Sequence, residues 1–171
     1  MALHAYVDES KKCDYIVAAV VITGGDVAAA RQLMRGLLVG KQQRIHFKAE
    51  TRPARKEQIL ATVLEVIGSC RLYVCRSRHS ARENCLNAML PDLVDLGVDR
   101  LVLERDTSTE KLDRRVLYDA SRKAGTEMPY QHDMPHREPL LWAPDAIAWC
   151  WATGGSWRQR VADHVTVAEV G

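Results

Sequence analysis

The sequence predicts an α/β protein with a mixed β-sheet flanked by helices. Two observations carry that reading, and a third shows that the chain is long enough to bury its core. Tyr15–Thr23 is a nearly unbroken apolar, β-branched run, the pattern of a strand buried on both faces. From Arg44 onward, short strand-like runs alternate with stretches of helical apolar spacing. The third is length: for 171 residues, surface scaling leaves about 8,400 Å² exposed of about 28,000 Å² in the extended chain, so about 70% is buried. No Pro/Gly/Ser-rich linker, repeat or low-complexity tract interrupts the chain, and residues 1–171 are expected to fold as a single domain.

The elements follow in order. Leu3–Val7 reads as a first strand, with a turn around Ser10–Cys13 before the apolar run. Gly24-Gly25-Asp26 breaks that run, Asp26 being a suitable N-cap. Val27, Ala30, Leu33, Met34, Leu37 and Leu38 are spaced for a helix over Val27–Val39, which Gly40 ends. Arg44–Lys48 reads as a strand with Ile45 and Phe47 on one face. Pro53 suits the first turn of the next helix, and Gly68 stops it. Arg71–Arg76 and Arg100–Arg105 are strands. Between them Ser80 and Glu83 form a capping-box pattern for a helix kinked at Pro91, and Thr107 with Glu110 opens another that Gly125 closes. Met128–His132 reads as a strand, Leu140–Ala152 as a Trp-rich helix, and His164–Val167 as a last strand.

Composition narrows the function. With 47% hydrophobic and 27% charged residues the chain is globular rather than disordered. No apolar run approaches the ~20 residues needed to cross a bilayer, and Met1-Ala2-Leu3-His4 lacks a signal-peptide n-region. The expectation is a cytoplasmic protein without a membrane partner. Five cysteines without a C-x-x-C read as reduced, mostly buried side chains. A net charge of +2 is far from the basic excess of many nucleic-acid binders. Arg outnumbers Lys 17 to 7, which suits phosphate but also follows from biased genome composition.

There is no G-x-G-x-x-G, P-loop or G-x-S-x-G, which removes support from dinucleotide, Walker-type and α/β-hydrolase readings. His132 and His136 have i,i+4 spacing, but Pro135 between them argues against a helical zinc pair. Acids at element ends are the sharper signal. Asp8 and Glu9 end the first strand, where Asp is disfavoured unless it turns the chain or meets a partner or metal. Glu50 precedes a helix, where the dipole alone would favour an acid. Glu104 and Asp106 end the Leu101–Leu103 strand, and would face one side if the strand ran on through them. Asp145 is the lone charge between Leu140 and Thr153, and burying it costs several kcal/mol unless it is paired or metal-bound. Three or four such acids meeting at one point would need divalent cations, and an oxygen-rich set suits Mg²⁺ or Mn²⁺. Two such ions ~4 Å apart serve phosphodiester hydrolysis.

Tyr6-Val7-Asp8-Glu9-Ser10, Ile45-His46-Phe47-Lys48-Ala49-Glu50, Leu101-Val102-Leu103-Glu104 and Leu140–Ala148 with Ala143-Pro144-Asp145 stand in that order. Together they resemble a bacterial family of unknown function with an N-terminal Asp-Glu-Ser motif and an RNase H-like fold. The resemblance implies an RNase H-like mixed sheet whose first strand carries a metal-binding Asp, here Asp8, with Glu50 and Asp145 as further ligands. The family's later strand more often ends in Asp, where this chain has Glu104 and then Asp106. Lys11 replaces the usual Gly after the motif, and Pro144 precedes Asp145.

Two functions are therefore expected. One is a Mg²⁺- or Mn²⁺-dependent nuclease acting on DNA or RNA, with Asp8, Glu50, Glu104 (or Asp106) and Asp145 on the metals. Arg52, Arg105 or Arg114 would contact phosphate, and Glu9 and His46 would assist from behind. The other is a non-catalytic RNase H-like module binding nucleic acid or a protein partner, with Trp149, Trp151 and Trp157 as an interface. A phosphatase is disfavoured, because Ser10 stands where a second Asp would be wanted.

Overall fold

The computed structural model describes residues 1–171. Six strands form one mixed sheet: β1 (Leu3–Ser10), β2 (Tyr15–Thr23), β3 (Ser69–Cys75), β4 (Val98–Glu104), β5 (Tyr130–Asp133) and β6 (Val165–Val170). Their spatial order is β5-β4-β1-β2-β3-β6. β2 runs antiparallel to β1 and β3, while β4, β5 and β6 join in parallel. The α/β class with a mixed sheet is as expected. Helices α1 (Val27–Arg35), α2 (Pro53–Val66), α5 (Trp142–Thr153) and α6 (Gly155–Val161) cover one face, and α3 (Ala81–Asp95) and α4 (Glu110–Ala124) the other. None of these helices is long and apolar enough to cross a membrane.

Strand periodicity divides the core in two. In β1, Tyr6 packs among α1, α2 and α5, while Ala5 and Val7 pack under α3 and α4. β4 does the same, with Val102 on the first side and Leu101 and Leu103 on the second. β2 is buried from Tyr15 to Ile22, as its unbroken apolar run requires. The folded surface is 8746 Å², close to the scaling value.

Four local expectations are corrected. Arg44–Lys48 is not a strand. Ile45 and Phe47 are buried, as alternation requires, but Phe47–Ala49 is a 3-10 turn with no strand beside it. The turn seats Phe47 edge-on against Trp149 and Trp157. α1 ends at Arg35 with Gly36 as its C-cap, four residues before Val39. Neither capping box forms: Ser80 is left-handed (φ 53°) and caps nothing, and Glu83 pairs with Arg115. Likewise Thr107 makes no cap, and α4 opens only at Glu110. α3 continues through Pro91 as one helix, so that proline does not end it. The five cysteines are free and four are buried, as expected.

Candidate metal centre

The two-fold periodicity of the strands assembles the site. Asp8 lies two residues beyond Tyr6, and Glu104 two beyond Val102, so both acids face the α5 side. The β1–β4 register pairs Val7 with Leu103, which places Asp8 and Glu104 next to each other at the carboxyl ends of parallel strands. Asp145 reaches the same place from the first turn of α5. There Pro144 costs nothing, because first-turn N–H groups have no helical acceptor. That turn is firmly held. Trp142, 2% exposed, donates its indole N–H to the Pro135 carbonyl at 2.7 Å. The buried Glu138 carboxylate accepts the Leu140 N–H and two nitrogens of Arg31.

Asp8, Glu104 and Asp145 line one cavity of about 460 Å³, together with Glu9, Arg44, His46, Lys48, Lys12 and Trp149. Asp8 is 7% exposed. Burial pushes its carboxyl well above the ordinary range, and a hydrogen bond with Glu104 and the fields of Glu104, Asp145 and Glu9 push the same way. Burial also raises Asp145; the field of His46 opposes this and that of Glu104 adds to it. The Phe47 N–H donates to Asp145 Oδ2 at 3.4 Å. The Asp8, Glu104 and Asp145 carboxylates therefore repel one another across the pocket, and a bound cation would relieve that repulsion. They are not gathered into a finished coordination shell: no three His, Cys, Asp or Glu side chains converge closely enough to hold a metal ion as they stand. The donors are nonetheless all carboxylate oxygens, the chemistry that Mg²⁺ and Mn²⁺ take.

Glu9 follows the opposite phase of β1 and turns toward α3, where Arg82 lies 3.3 Å from its Oε2. Arg82 also forks onto Asp113, at 2.5 and 2.8 Å, and donates to Tyr15. His132 Nε2 lies 2.9 Å from Asp113 Oδ2, the oxygen that Arg82 Nη2 also reaches, so His132 belongs to this network.

The structure does not bring Glu50 into the cavity. The 3-10 turn places it in an adjoining recess with Arg44 and His46, where Arg52 holds both its oxygens and leaves its carboxyl at about 2. Arg52 is therefore occupied as well. Asp106 does not line the cavity either, but an adjoining recess with Glu9 and Glu104. β4 stops at Glu104, so the acids two apart do not share a face, and the Asp106 carboxylate takes the Ser108 N–H and hydroxyl. Those bonds hold its carboxyl below the usual range. Asp106→Ala is expected to cost at most about 1 kcal/mol, as loss of a helix-entry contact, and to leave divalent-cation binding unchanged by calorimetry. Arg105 lines an adjoining recess that shares Glu9 and Glu104, and Arg114 pairs with Glu110 on α4.

Sequence reasoning missed Arg44 and Lys48. Arg44 Nη1 lies 3.8 Å from Glu104, and its Nε is buried without a hydrogen-bond partner. The signal was present: Ile45 and Phe47 define an inward face, so Arg44, His46 and Lys48 belong to the opposite one, and all three line the cavity.

Three solved structures share this architecture at 15% identity. They are RNase HII from Archaeoglobus fulgidus in complex with PCNA (TM-score 0.55, 88% of this chain and 73% of that one), ribonuclease H2 from Pyrococcus horikoshii OT3 (0.55, 94% and 74%) and Bst-RNase HIII in complex with Mn²⁺ (0.57, 86% and 51%). The chain has an RNase H-like fold. Neither a protein-family model nor a curated protein matches it. At this identity the likeness establishes the RNase H-like fold and no more.

Proposed function

We propose that the chain is a divalent-metal-dependent nuclease hydrolysing phosphodiester bonds in DNA or RNA by a two-metal mechanism, with Mg²⁺ or Mn²⁺ held by Asp8, Glu104 and Asp145. The observation that carries it is the meeting of these three carboxylates, from β1, β4 and α5, in one cavity rimmed by Arg44, Lys48 and Lys12. Bound there, the cations would supply a reactive water and charge for the leaving oxygen. The remaining work falls to the chain. Lys48 and Lys12 draw in phosphate, and the Arg44 guanidinium, whose Nη1 lies 3.8 Å from Glu104, adds positive charge at the cavity wall. His46, beside Asp145, moves a proton at the cavity wall. Glu9 is held from behind by Arg82 and steadies β1 at Asp8. The order of motifs supports membership of the bacterial family with the Asp-Glu-Ser opening, and the reading takes residues 1–171 as one cytoplasmic domain. Bst-RNase HIII, a neighbour of the same fold, is known with Mn²⁺ bound.

The test is a Mn²⁺ titration by calorimetry, paired with hydrolysis of labelled single- and double-stranded DNA, RNA and hybrid, each with Mn²⁺ and with chelator. Saturable binding and chelator-sensitive cleavage of at least one substrate are expected, with Glu50→Gln retaining both. No binding at millimolar Mn²⁺, with or without nucleic acid, would leave the non-catalytic module as the reading.

A further inference from the structure

A groove of about 1040 Å³, larger than the acid-lined cavity of about 460 Å³, lies away from the acids, between α4 and the segment 126–130 that leads into the edge strand β5. Tyr130 pairs with Leu101, three residues before Glu104, so this end of the groove sits about 10 Å along the strand from the cavity. Lys111, Arg114, Arg115 and Arg122 line it against a single carboxylate, Glu127. That is a net +3 where the whole chain carries +2. Arg114 and Arg115 are themselves exposed and are engaged only by Glu110 and Glu83, both partly exposed, at 3.3 Å. Such pairs are worth little in water and exchange readily for phosphate. Among these cations Tyr118 is 61% exposed, with the Arg122 guanidinium 5.8 Å over its ring. An exposed aromatic ring in a cationic groove is the arrangement that takes unpaired bases by stacking and backbone by charge.

We infer that this groove binds single-stranded nucleic acid, with a base on Tyr118 and phosphates on Lys111 and Arg122. The inference deepens the nuclease reading: a strand leaving Tyr118 along α4 covers about 12 Å to Glu110, beside the recess shared with Glu9 and Glu104. The groove would thus hold a substrate's flanking strand and favour substrates with a single-stranded arm.

The test uses the full chain with chelator present, so that nothing is cleaved. Fluorescence anisotropy follows a labelled DNA or RNA oligonucleotide about 12 nucleotides long. Tyr118→Ala is expected to weaken binding about five- to a hundredfold. Lys111→Glu with Arg122→Glu should weaken it further and flatten the salt dependence by at least about one logarithmic unit. All three side chains are exposed, so far-UV circular dichroism and melting temperature should match wild type. Unchanged affinity in every variant, or no binding by wild type, would overturn the inference. So would equal binding of polyglutamate indifferent to Tyr118→Ala, which would assign the groove to an acidic protein. The nuclease reading fails separately, because it rests on Mn²⁺ titration at Asp8 and Asp145, which these variants leave intact.

Discussion

Asp8→Asn is expected to abolish saturable Mn²⁺ binding and to lower nuclease activity by at least about 100-fold, as is Asp145→Asn. Even groups behind a metal's ligands commonly govern 10- to 100-fold in affinity or activity, and these two supply oxygens themselves. Loss of binding in both variants would place the two acids in one site, although they lie 137 positions apart in the chain. Loss through unfolding is distinguishable. Asp8 is buried beside Glu104, and the fields of Asp145 and Glu9 also act on it, so the neutral amide relieves repulsion in the metal-free protein. The Asp8→Asn protein should melt no lower than wild type without metal, and only wild type should gain melting temperature when Mn²⁺ is added. A variant that binds Mn²⁺ as tightly as wild type would remove Asp8 from the site.

Arg82→Leu carries the largest stability effect. The Arg82 and Asp113 side chains are 8% and 0% exposed. Removing the guanidinium leaves Asp113 as a buried carboxylate with His132 as its remaining partner, a change that costs about 3–5 kcal/mol. For a chain of this length that lowers the melting temperature by roughly 10 °C, and urea unfolding gives the free energy directly. Arg82→Leu with Asp113→Leu should recover part of the loss, because no charge is then stranded. The pair also sets an acid limit. Burial pushes the Asp113 carboxyl up, but hydrogen bonds from Arg82 and His132 outweigh it and hold the group below its ordinary value. The unfolded chain therefore binds this proton more readily. The stabilisation is complete above the unfolded carboxyl value, about 3.9, and is lost as pH falls through the lower folded one. Wild type should lose stability across that acid range, and a protein with Arg82→Leu should lose less of it.

Much of this was legible because apolar runs and the acids that end them report burial directly. β2 announces itself by nine residues without a charge, Asp8 and Glu104 stand out where such runs stop, and Asp145 as the single charge inside one. What failed needed a neighbour that periodicity cannot supply. Arg44–Lys48 alternates like a strand and buries the residues alternation selects, yet no strand lies beside it to make the hydrogen bonds. Glu50 and Asp106 share the chemistry of the true cavity acids, but a 3-10 turn and the early end of β4 aim them elsewhere. The buried networks were invisible for another reason: Arg31 and Glu138 are 107 positions apart, and Arg82 and Asp113 are 31 apart. Nothing local marks either partner.

The sheet order also has a kinetic consequence. Only β1 and β2 are joined by a tight turn; every other pairing closes a long stretch of chain, which slows folding. Asp8 belongs to that early hairpin, Glu104 to a strand added across it, and Asp145 to a helix that docks after both in sequence. Refolding chains should therefore regain secondary structure before they regain Mn²⁺ affinity. The lag between the two signals would time the arrival of α5.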